Sequence, residues 1–146
     1  MRIFIASDHR GFELKDKLVD YLHEKEYRVE DLGAYEYDAK DDYPDFAQKV
    51  ATAVLQDVES SRGIVTCGSG VGACIVVNRH KKLRCGLGFN QDQVKHAREA
   101  DNINVLSLPA DYLDFDEAVT LVNIFLETRG LNEEKYLRRI KKTDEV

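Results

Sequence analysis

Short apolar segments alternate with amphipathic segments along nearly the whole chain. Between the apolar segments, Leu14, Leu18 and Leu22 recur four residues apart, and Pro44 stands where a second helix can begin. Regular strand–helix alternation indicates a parallel sheet with helices on both faces. We therefore predict an α/β fold, a Rossmann-like three-layer sandwich with a five-stranded parallel sheet. The predicted strands are 2–7, 27–33, 63–68, 84–89 and 103–108.

No linker, repeat or low-complexity segment interrupts this pattern, so we predict a single domain over residues 1–146. The segment 132–142 predicts an extra, polar C-terminal helix. Its basic residues form either a solvated helix face or an anion-binding surface. They are Lys135, Arg138, Arg139, Lys141 and Lys142.

Composition and charge exclude several classes of protein. The net charge of −6 argues against a large basic face for nucleic acid. The chain shows no signal peptide and no apolar run of ~18 residues, which predicts a cytoplasmic protein without a membrane segment. The three cysteines lack metal-ligand spacing, so we expect reduced thiols and no metal site.

The stretch TCGSGVGACI (66–75) places Cys67 directly before a glycine loop. By its letters, GSGVGA satisfies the dinucleotide fingerprint G-x-G-x-x-G/A. A dinucleotide-binding fold carries that fingerprint in its first strand–helix turn, whereas this loop follows the third predicted strand. The Walker A ending G-K-[ST] is also missing. A cofactor site is therefore the less favoured interpretation, and we expect no cofactor.

The alternative is an anion-binding loop with a reactive thiol beside it. Successive glycines let backbone N–H groups converge on an oxyanion, and the same field lowers the pKa of a nearby cysteine. We therefore expect Cys67 to be largely thiolate at neutral pH and to serve as a nucleophile or general base. Cys74 and Cys85 lie in apolar segments and are expected to be packed core thiols. If the first and third strands flank the switch point of the sheet, Asp8, His9 and Cys67 face one cleft.

Several motifs together resemble one known family. In this order, they are ASDHRGFELK, DYPDFAQKVA, GIVTCGSGVG, Asn78-Arg79, NVLSL and the basic C-terminal helix. The order and spacing are similar to those of type B ribose-5-phosphate isomerases, a family that includes the galactose-6-phosphate isomerase subunits. The resemblance implies a metal-free aldose–ketose isomerisation of a phosphorylated sugar through a cis-enediolate. It also implies a homodimer or tetramer with active sites between subunits.

The resemblance further implies roles for single residues. Cys67 is expected to move the proton between C1 and C2, and Ser69 to contact the sugar or shuttle a proton. The backbone amides of the loop are expected to hold the enediolate oxygens, as in an oxyanion hole. The substrate-binding residues it implies are Asp8, His9, Tyr43, Gly68, Gly70, Val71, Gly72 and Asp101, and the phosphate-binding residues are His9, Lys135 and Arg139.

Other interpretations of these residues stay open. Asp8 can be a helix cap, His9 a loop histidine and Tyr43 a core aromatic residue. The chain also departs from the family pattern, because Ala100 stands in place of a ring-opening histidine and Asp111 in place of an arginine.

These departures leave the substrate undecided. It is either ribose 5-phosphate or a four-carbon or otherwise acyclic sugar phosphate, which needs no ring opening. An interpretation of another class is a catalytically silent paralogue that binds a phosphorylated metabolite.

Overall fold

The computed structural model describes all residues from 1 to 146. Its strands are β1 (Arg2–Ser7), β2 (Arg28–Asp31), β3 (Ser61–Cys67), β4 (Cys85–Leu87) and β5 (Val105–Pro109). Its helices are α1 (Phe12–Glu24), α2 (Tyr43–Leu55), α3 (Val71–Val77), α4 (Gln91–Asp101), α5 (Phe115–Glu127) and α6 (Glu134–Asp144). All neighbouring strands are parallel, in the order β2-β1-β3-β5-β4. The predicted fold class is confirmed.

The predicted strand 2–7 is confirmed, whereas each end of the other four predicted strands differs by one or two residues. Pairing explains the differences at β3 and β4. β3 begins at Ser61 rather than at residue 63, because Ser61 already pairs with Arg2 of β1. β4 is an edge strand of three residues, and it pairs with β5 only from Cys85 to Leu87. Gly88 and Phe89 continue the apolar sequence beyond the paired residues, so the predicted strand was too long.

The sheet separates two hydrophobic clusters, which gives the three layers. Ile3 and Ile5 of β1 face α1, α4 and α5, whereas Phe4 and Ala6 face α2 and α3. Successive residues of a strand point to opposite faces, so a continuous apolar strand buries both of its faces. Each fully buried side chain of this size stabilises the fold by roughly 1.5–3 kcal/mol.

The strand order creates a crevice at one end of the sheet. From β1 the chain proceeds to β2 on one side, whereas β3, β5 and β4 lie on the other. The loops that follow β1 and β3 therefore diverge above the carboxyl ends of these strands, where ligands bind in open α/β sheets.

Helix α6 is attached loosely to the rest of the chain. None of its residues is buried, although its polar and apolar residues are strongly segregated. Arg84 fixes its end by donating two hydrogen bonds of 2.9 Å to the Asp144 carboxylate. Leu137 keeps 48% of its surface exposed. No helix of the structure is both long and apolar enough to cross a membrane.

Candidate active site

A cavity of about 300 Å³ opens at the carboxyl ends of the central strands. It unites residues from the loops after β1, β3 and β5 with the first residue of α2. The lining residues are Asp8, Arg10, Tyr43, Cys67, Gly68, Ser69, Gly72 and Asp111. The crevice between β1 and β3 thus contains six of the residues that the sequence singled out as catalytic or substrate-binding, and adds two that it did not.

Cys67 is the last residue of β3 and is only 4% exposed. Burial raises the pKa of its thiol, and the negative charge of Asp8 raises it further. The backbone N–H groups of Ala73, Gly70 and Ser69 oppose this by favouring the thiolate. The expectation of a thiolate at neutral pH is therefore wrong, because the loss of hydration outweighs the loop amides.

The glycine loop has a fixed and unusual backbone at Gly70. This residue adopts a left-handed conformation with φ of 73°, which side chains with a Cβ rarely tolerate. A Cβ here would also lie 2.6 Å from Leu87 Cδ1. The buried Ser107 hydroxyl donates a 2.6 Å hydrogen bond to the Gly70 carbonyl. The loop is thus held in place by packing and by β5.

The loop amides have no acceptor in the protein backbone. The Val71 N–H donates to Ser69 Oγ at 3.3 Å, and the Val71 side chain lines a separate surface groove. No backbone carbonyl accepts from the N–H groups of the loop residues Gly68, Ser69, Gly70, Gly72 and Ala73. Those of Ser69, Gly70 and Ala73 favour the Cys67 thiolate, which leaves the Gly68 and Gly72 N–H groups without an acceptor. Unpaired donors beside a base are what the stabilisation of an enediolate oxygen requires.

Asp8 lines the cavity and also holds the loop that follows β1. Its Oδ1 accepts hydrogen bonds from the backbone N–H groups of Arg10 at 2.9 Å and Gly11 at 3.1 Å. Burial raises the pKa of this carboxyl group. Thr66 Oγ1 donates a 3.0 Å hydrogen bond to the Gly11 carbonyl. A Cβ on Gly11 would lie 2.3 Å from Thr66 Oγ1, so only glycine fits here. The loop is therefore clamped against the end of β3.

His9 lies beside the cavity rather than in its wall. Its ring Nδ1 is 2.7 Å from Asp41 Oδ1, and its backbone N–H donates to the same oxygen at 2.8 Å. The hydrogen bond with Asp41 raises the pKa of His9, which favours a positively charged ring. Sequence reasoning missed Asp41, because nothing marks it among the acidic residues of its loop.

Asp8, His9 and Asp41 are also the chain's one group of side chains that could hold a metal ion. Their ligand atoms lie within 4.8 Å of one another. Asp41 Oδ1 is already used by both hydrogen bonds from His9. These hydrogen bonds orient the imidazole and favour its protonated form.

Tyr43 begins α2 and reaches over the glycine loop. It is 40% exposed, so it is not a core aromatic residue. A Cβ at Gly72 would lie 2.6 Å from Tyr43 Cζ, so only glycine lets the ring approach this closely. Tyr43 thereby contributes to the wall of the cavity a ring that carries a hydroxyl group.

Arg10 and Asp111 form an ion pair at the mouth of the cavity, between Arg10 Nη2 and Asp111 Oδ2. Both side chains cross Gly68, where a Cβ would lie 2.7 Å from Arg10 Nε and 2.8 Å from Asp111 Oδ2. Sequence reasoning treated Asp111 only as the loss of an arginine and missed Arg10. The available signal was the variable position of the SDHRG motif, which here carries a guanidinium.

Six predicted site residues do not line this cavity. His9 and Gly70 belong to the loops around it and Val71 begins α3, whereas the other three lie on α4 and α6. Asp101, at the end of α4, lines another cavity of about 440 Å³ together with Arg84. Lys135 and Arg139 are exposed on α6. Lys135 Nζ lies 3.2 Å from Glu133 Oε2, which gives an ion pair at the start of the helix. The structure therefore does not bring the side chains on α4 and α6 to Cys67 within one chain.

The other two cysteines differ from each other. Cys85 is buried, as expected, and burial raises the pKa of its thiol well above the ordinary value. Cys74 is only partly buried and lines the apolar surface groove beside α3, so the expectation of a core thiol is wrong for it. Periodicity placed Cys74 on the helix but did not show that this side of α3 is uncovered.

Comparison with known proteins agrees with this geometry. A family model described as ribose/galactose isomerase matches residues 3–143. A probable ribose-5-phosphate isomerase B from Mycoplasma genitalium is 39% identical over 140 residues, which is 96% of this chain and 91% of that protein.

Two solved structures have nearly the same fold. Ribose-5-phosphate isomerase B from Mycoplasma genitalium with bound ribulose 5-phosphate gives a TM-score of 0.94 at 38% identity, covering 99% of this chain and 94% of that one. The ribose 5-phosphate isomerase from Thermotoga maritima gives a TM-score of 0.93 at 41% identity, covering 99% of this chain and 98% of that one. The chain therefore belongs to the ribose/galactose isomerase family of aldose–ketose isomerases.

Proposed function

We propose that this chain interconverts ribose 5-phosphate and ribulose 5-phosphate, with Cys67 as the base. The observation that carries the proposal is a cysteine thiol in the wall of an open cavity, beside loop N–H groups that have no backbone acceptor. The relative from Mycoplasma genitalium that holds ribulose 5-phosphate supports this choice of ketose.

The reaction uses the thiolate form of Cys67 on the open-chain aldose. The thiolate removes the proton from C2, and the electron pair moves through the C1–C2 bond onto the carbonyl oxygen O1 to give an enediolate. Free loop N–H groups stabilise the negative oxygen, which is the main electrostatic contribution in such sites. The protonated thiol then returns the proton to C1, while the Ser69 hydroxyl moves a proton from O2 to O1. A raised thiol pKa makes Cys67 a stronger base, although fewer molecules carry it ionised.

Positive charge near the cavity supports binding of the phosphate group. Within one chain it comes from Arg10 at the mouth and from His9 beside it. We propose that the remaining charges come from Lys135 and Arg139 of a second copy, in a homodimer with active sites between the subunits. The three free thiols support a cytoplasmic location.

The residue at position 100 favours a second candidate substrate. Ala100 is buried on α4 and cannot transfer a proton, so it cannot open a furanose ring. A tetrose 4-phosphate cannot close a five-membered ring, because its O4 is esterified, and it presents its carbonyl to Cys67 directly. A four-carbon sugar phosphate is therefore the alternative to ribose 5-phosphate.

The decisive variant is Cys67→Ala. It should lower kcat for isomerisation by roughly a thousandfold or more, while the dissociation constant of ribose 5-phosphate stays within about tenfold, because the lost contact acts mainly in the transition state. Ketose formation measures the first effect and calorimetric titration the second. Cys74→Ala, on the uncovered side of α3, is the matched control and should retain activity.

Full activity of Cys67→Ala contradicts the mechanism. A wild-type kcat/KM that is clearly higher for erythrose 4-phosphate than for ribose 5-phosphate assigns the same chemistry to the four-carbon substrate. Binding of both sugars without any turnover indicates the silent paralogue.

A further inference from the structure

A cavity of about 370 Å³ lies at the opposite end of the sheet from Cys67. Arg62 in its wall is the second residue of β3, whereas Cys67 is the last, so the two are ~16 Å apart along the strand. The other walls are the ends of α4 and α5 and one side of α6. We call this the arginine cavity, because its polar lining residues are Arg62, Arg98, Arg129, Asn102 and Asn132, and none of its lining residues is acidic.

The positive charges of the arginine cavity have no counter-ion in the protein. None of the three guanidinium groups takes part in an ion pair. Burial, together with the charges of Arg62 and Arg84, lowers the pKa of Arg98 to about 10. Burial also lowers the pKa of Arg62, the charge of Glu59 opposes this without an ion pair, and the charge of Arg84 lowers the pKa further. Partly desolvated charges of one sign are costly, and a bound anion removes that cost.

Arg98 is held rigidly with one nitrogen left over. It is 3% exposed, its Nε donates to the Thr128 carbonyl at 3.1 Å, and its Nη1 donates to Asn102 Oδ1 at 2.7 Å and to the Ile103 carbonyl. Its Nη2 makes no hydrogen bond in the protein and is not among the buried polar atoms without a partner. Arg98 lines the cavity, so this nitrogen is accessible to a ligand. A guanidinium fixed by three acceptors around one free donor is preorganised for a ligand, unlike a mobile surface arginine.

The other two arginines add further donors. Arg62 donates through Nη1 to the Ser61 carbonyl at 2.6 Å and to the Glu59 carbonyl, which leaves its Nε and Nη2 unpaired. Arg129 is exposed and its guanidinium makes no hydrogen bond. The cavity therefore presents N–H donors from three guanidinium groups on two sides of one space.

We propose that the arginine cavity binds a phosphate dianion, either free or as the phosphate group of a small monoester. Guanidinium groups match phosphate oxygens in pairs, and the absence of any carboxylate in the lining favours a doubly charged ligand. The volume exceeds what a bare phosphate fills, which leaves room for a short organic group. This site is separate from the catalytic cavity and does not depend on the identity of the sugar.

The test is calorimetric titration of the whole protein with inorganic phosphate and with glycerol 3-phosphate. The wild type should show a class of sites that Arg62→Ala/Arg129→Ala weakens by roughly tenfold or more, since charge-assisted hydrogen bonds are lost. The same variant should leave kcat, KM and competitive inhibition by phosphate unchanged. The matched control, Arg2→Ala/Arg28→Ala, removes two charges at the amino ends of β1 and β2 and should bind phosphate as the wild type does.

Identical isotherms for the wild type, the cavity variant and the control overturn the proposal. Equal weakening by the control also overturns it, because net charge alone then explains the binding. Arg98 is not the residue to change, since its contacts join the ends of α4 and α5. If the double variant does not fold, Arg129→Gln on the exposed side of the cavity gives the same comparison. Because binding is measured directly, a protein without isomerase activity still gives a valid result.

Discussion

At the scale of single residues, the surroundings of the Cys67 sulfur decide when the base is available. Burial and the negative charge of Asp8 raise the thiol pKa, so the neutral thiol predominates around pH 7 in the free protein. As long as the pH is below that pKa, the ionised fraction of the thiol rises about tenfold for each unit by which the pH increases. The rate of proton abstraction should follow the same rise.

We therefore expect kcat/KM to increase with pH through the neutral range and to level off only above the pKa of an ordinary thiol. The measurement is a profile above about pH 7, where the substrate phosphate is already a dianion. Asp8→Asn keeps an oxygen for the Arg10 and Gly11 N–H groups but removes the charge. It should shift the rising limb to lower pH. A profile that is already flat at pH 7 in the wild type shows that the thiol is ionised and that burial does not dominate.

At the scale of elements, the ion pair of Arg10 and Asp111 joins the loop after β1 to the loop after β5. Arg10 uses only Nη2 for this pair, so its Nε and Nη1 remain free at the cavity mouth. Asp111 alone would repel a phosphate group, whereas the pair presents unpaired guanidinium donors to it. The two loops therefore act together as one anchor.

Arg10→Ala should raise KM for the phosphorylated sugar by roughly tenfold to a hundredfold with a smaller effect on kcat. Adding Asp111→Arg to that variant should restore much of the affinity, because a guanidinium returns to the same mouth from the opposite loop. Steady-state kinetics of the two variants make the comparison. Arg2→Ala, which breaks an exposed pair with Glu30 at the far end of β1, serves as the control. An unchanged KM in Arg10→Ala assigns the pair to loop stability alone.

The two loops also show which parts of the fold and of the site could be predicted from sequence patterns. Apolar runs and helical spacing identified every strand and the buried faces of α1, α2 and α5, because burial on a sheet imposes those periods. The Cys67 loop could be recognised since its residues are consecutive. Arg10 and Asp111 are 101 residues apart, and His9 and Asp41 are 32 apart. Such pairs depend on where loops meet above the sheet, and the Cys67 pKa depends on burial of its sulfur, neither of which periodicity reports.

At the scale of the whole molecule, one chain leaves two surfaces uncovered. Helix α6 buries none of its residues. Beside α3, the side chains of Val71 and Ile75 are 47% and 53% exposed and line an apolar groove. Exposed apolar surface of this kind is typical of interfaces between proteins, and we propose that a second copy of this chain covers it. A second copy that covers it also offers a way to bring Lys135 and Arg139 to a cavity that they do not reach in their own chain.

Mixing two inactive variants tests this arrangement directly. Cys67→Ala removes the base of a subunit's own cavity, and Arg139→Ala removes the charge that we propose each subunit lends to its partner. After the two proteins are unfolded and refolded together, half of the dimers should be mixed, and each should contain one site with both residues intact. About a quarter of wild-type activity should therefore return at a substrate concentration where each variant alone is nearly silent. Mixing Cys67→Ala with Cys67→Ser is the control, since no combination restores a base. If activity stays at the average of the two separate variants, Arg139 does not act in the partner's site, and α6 is a solvated helix face.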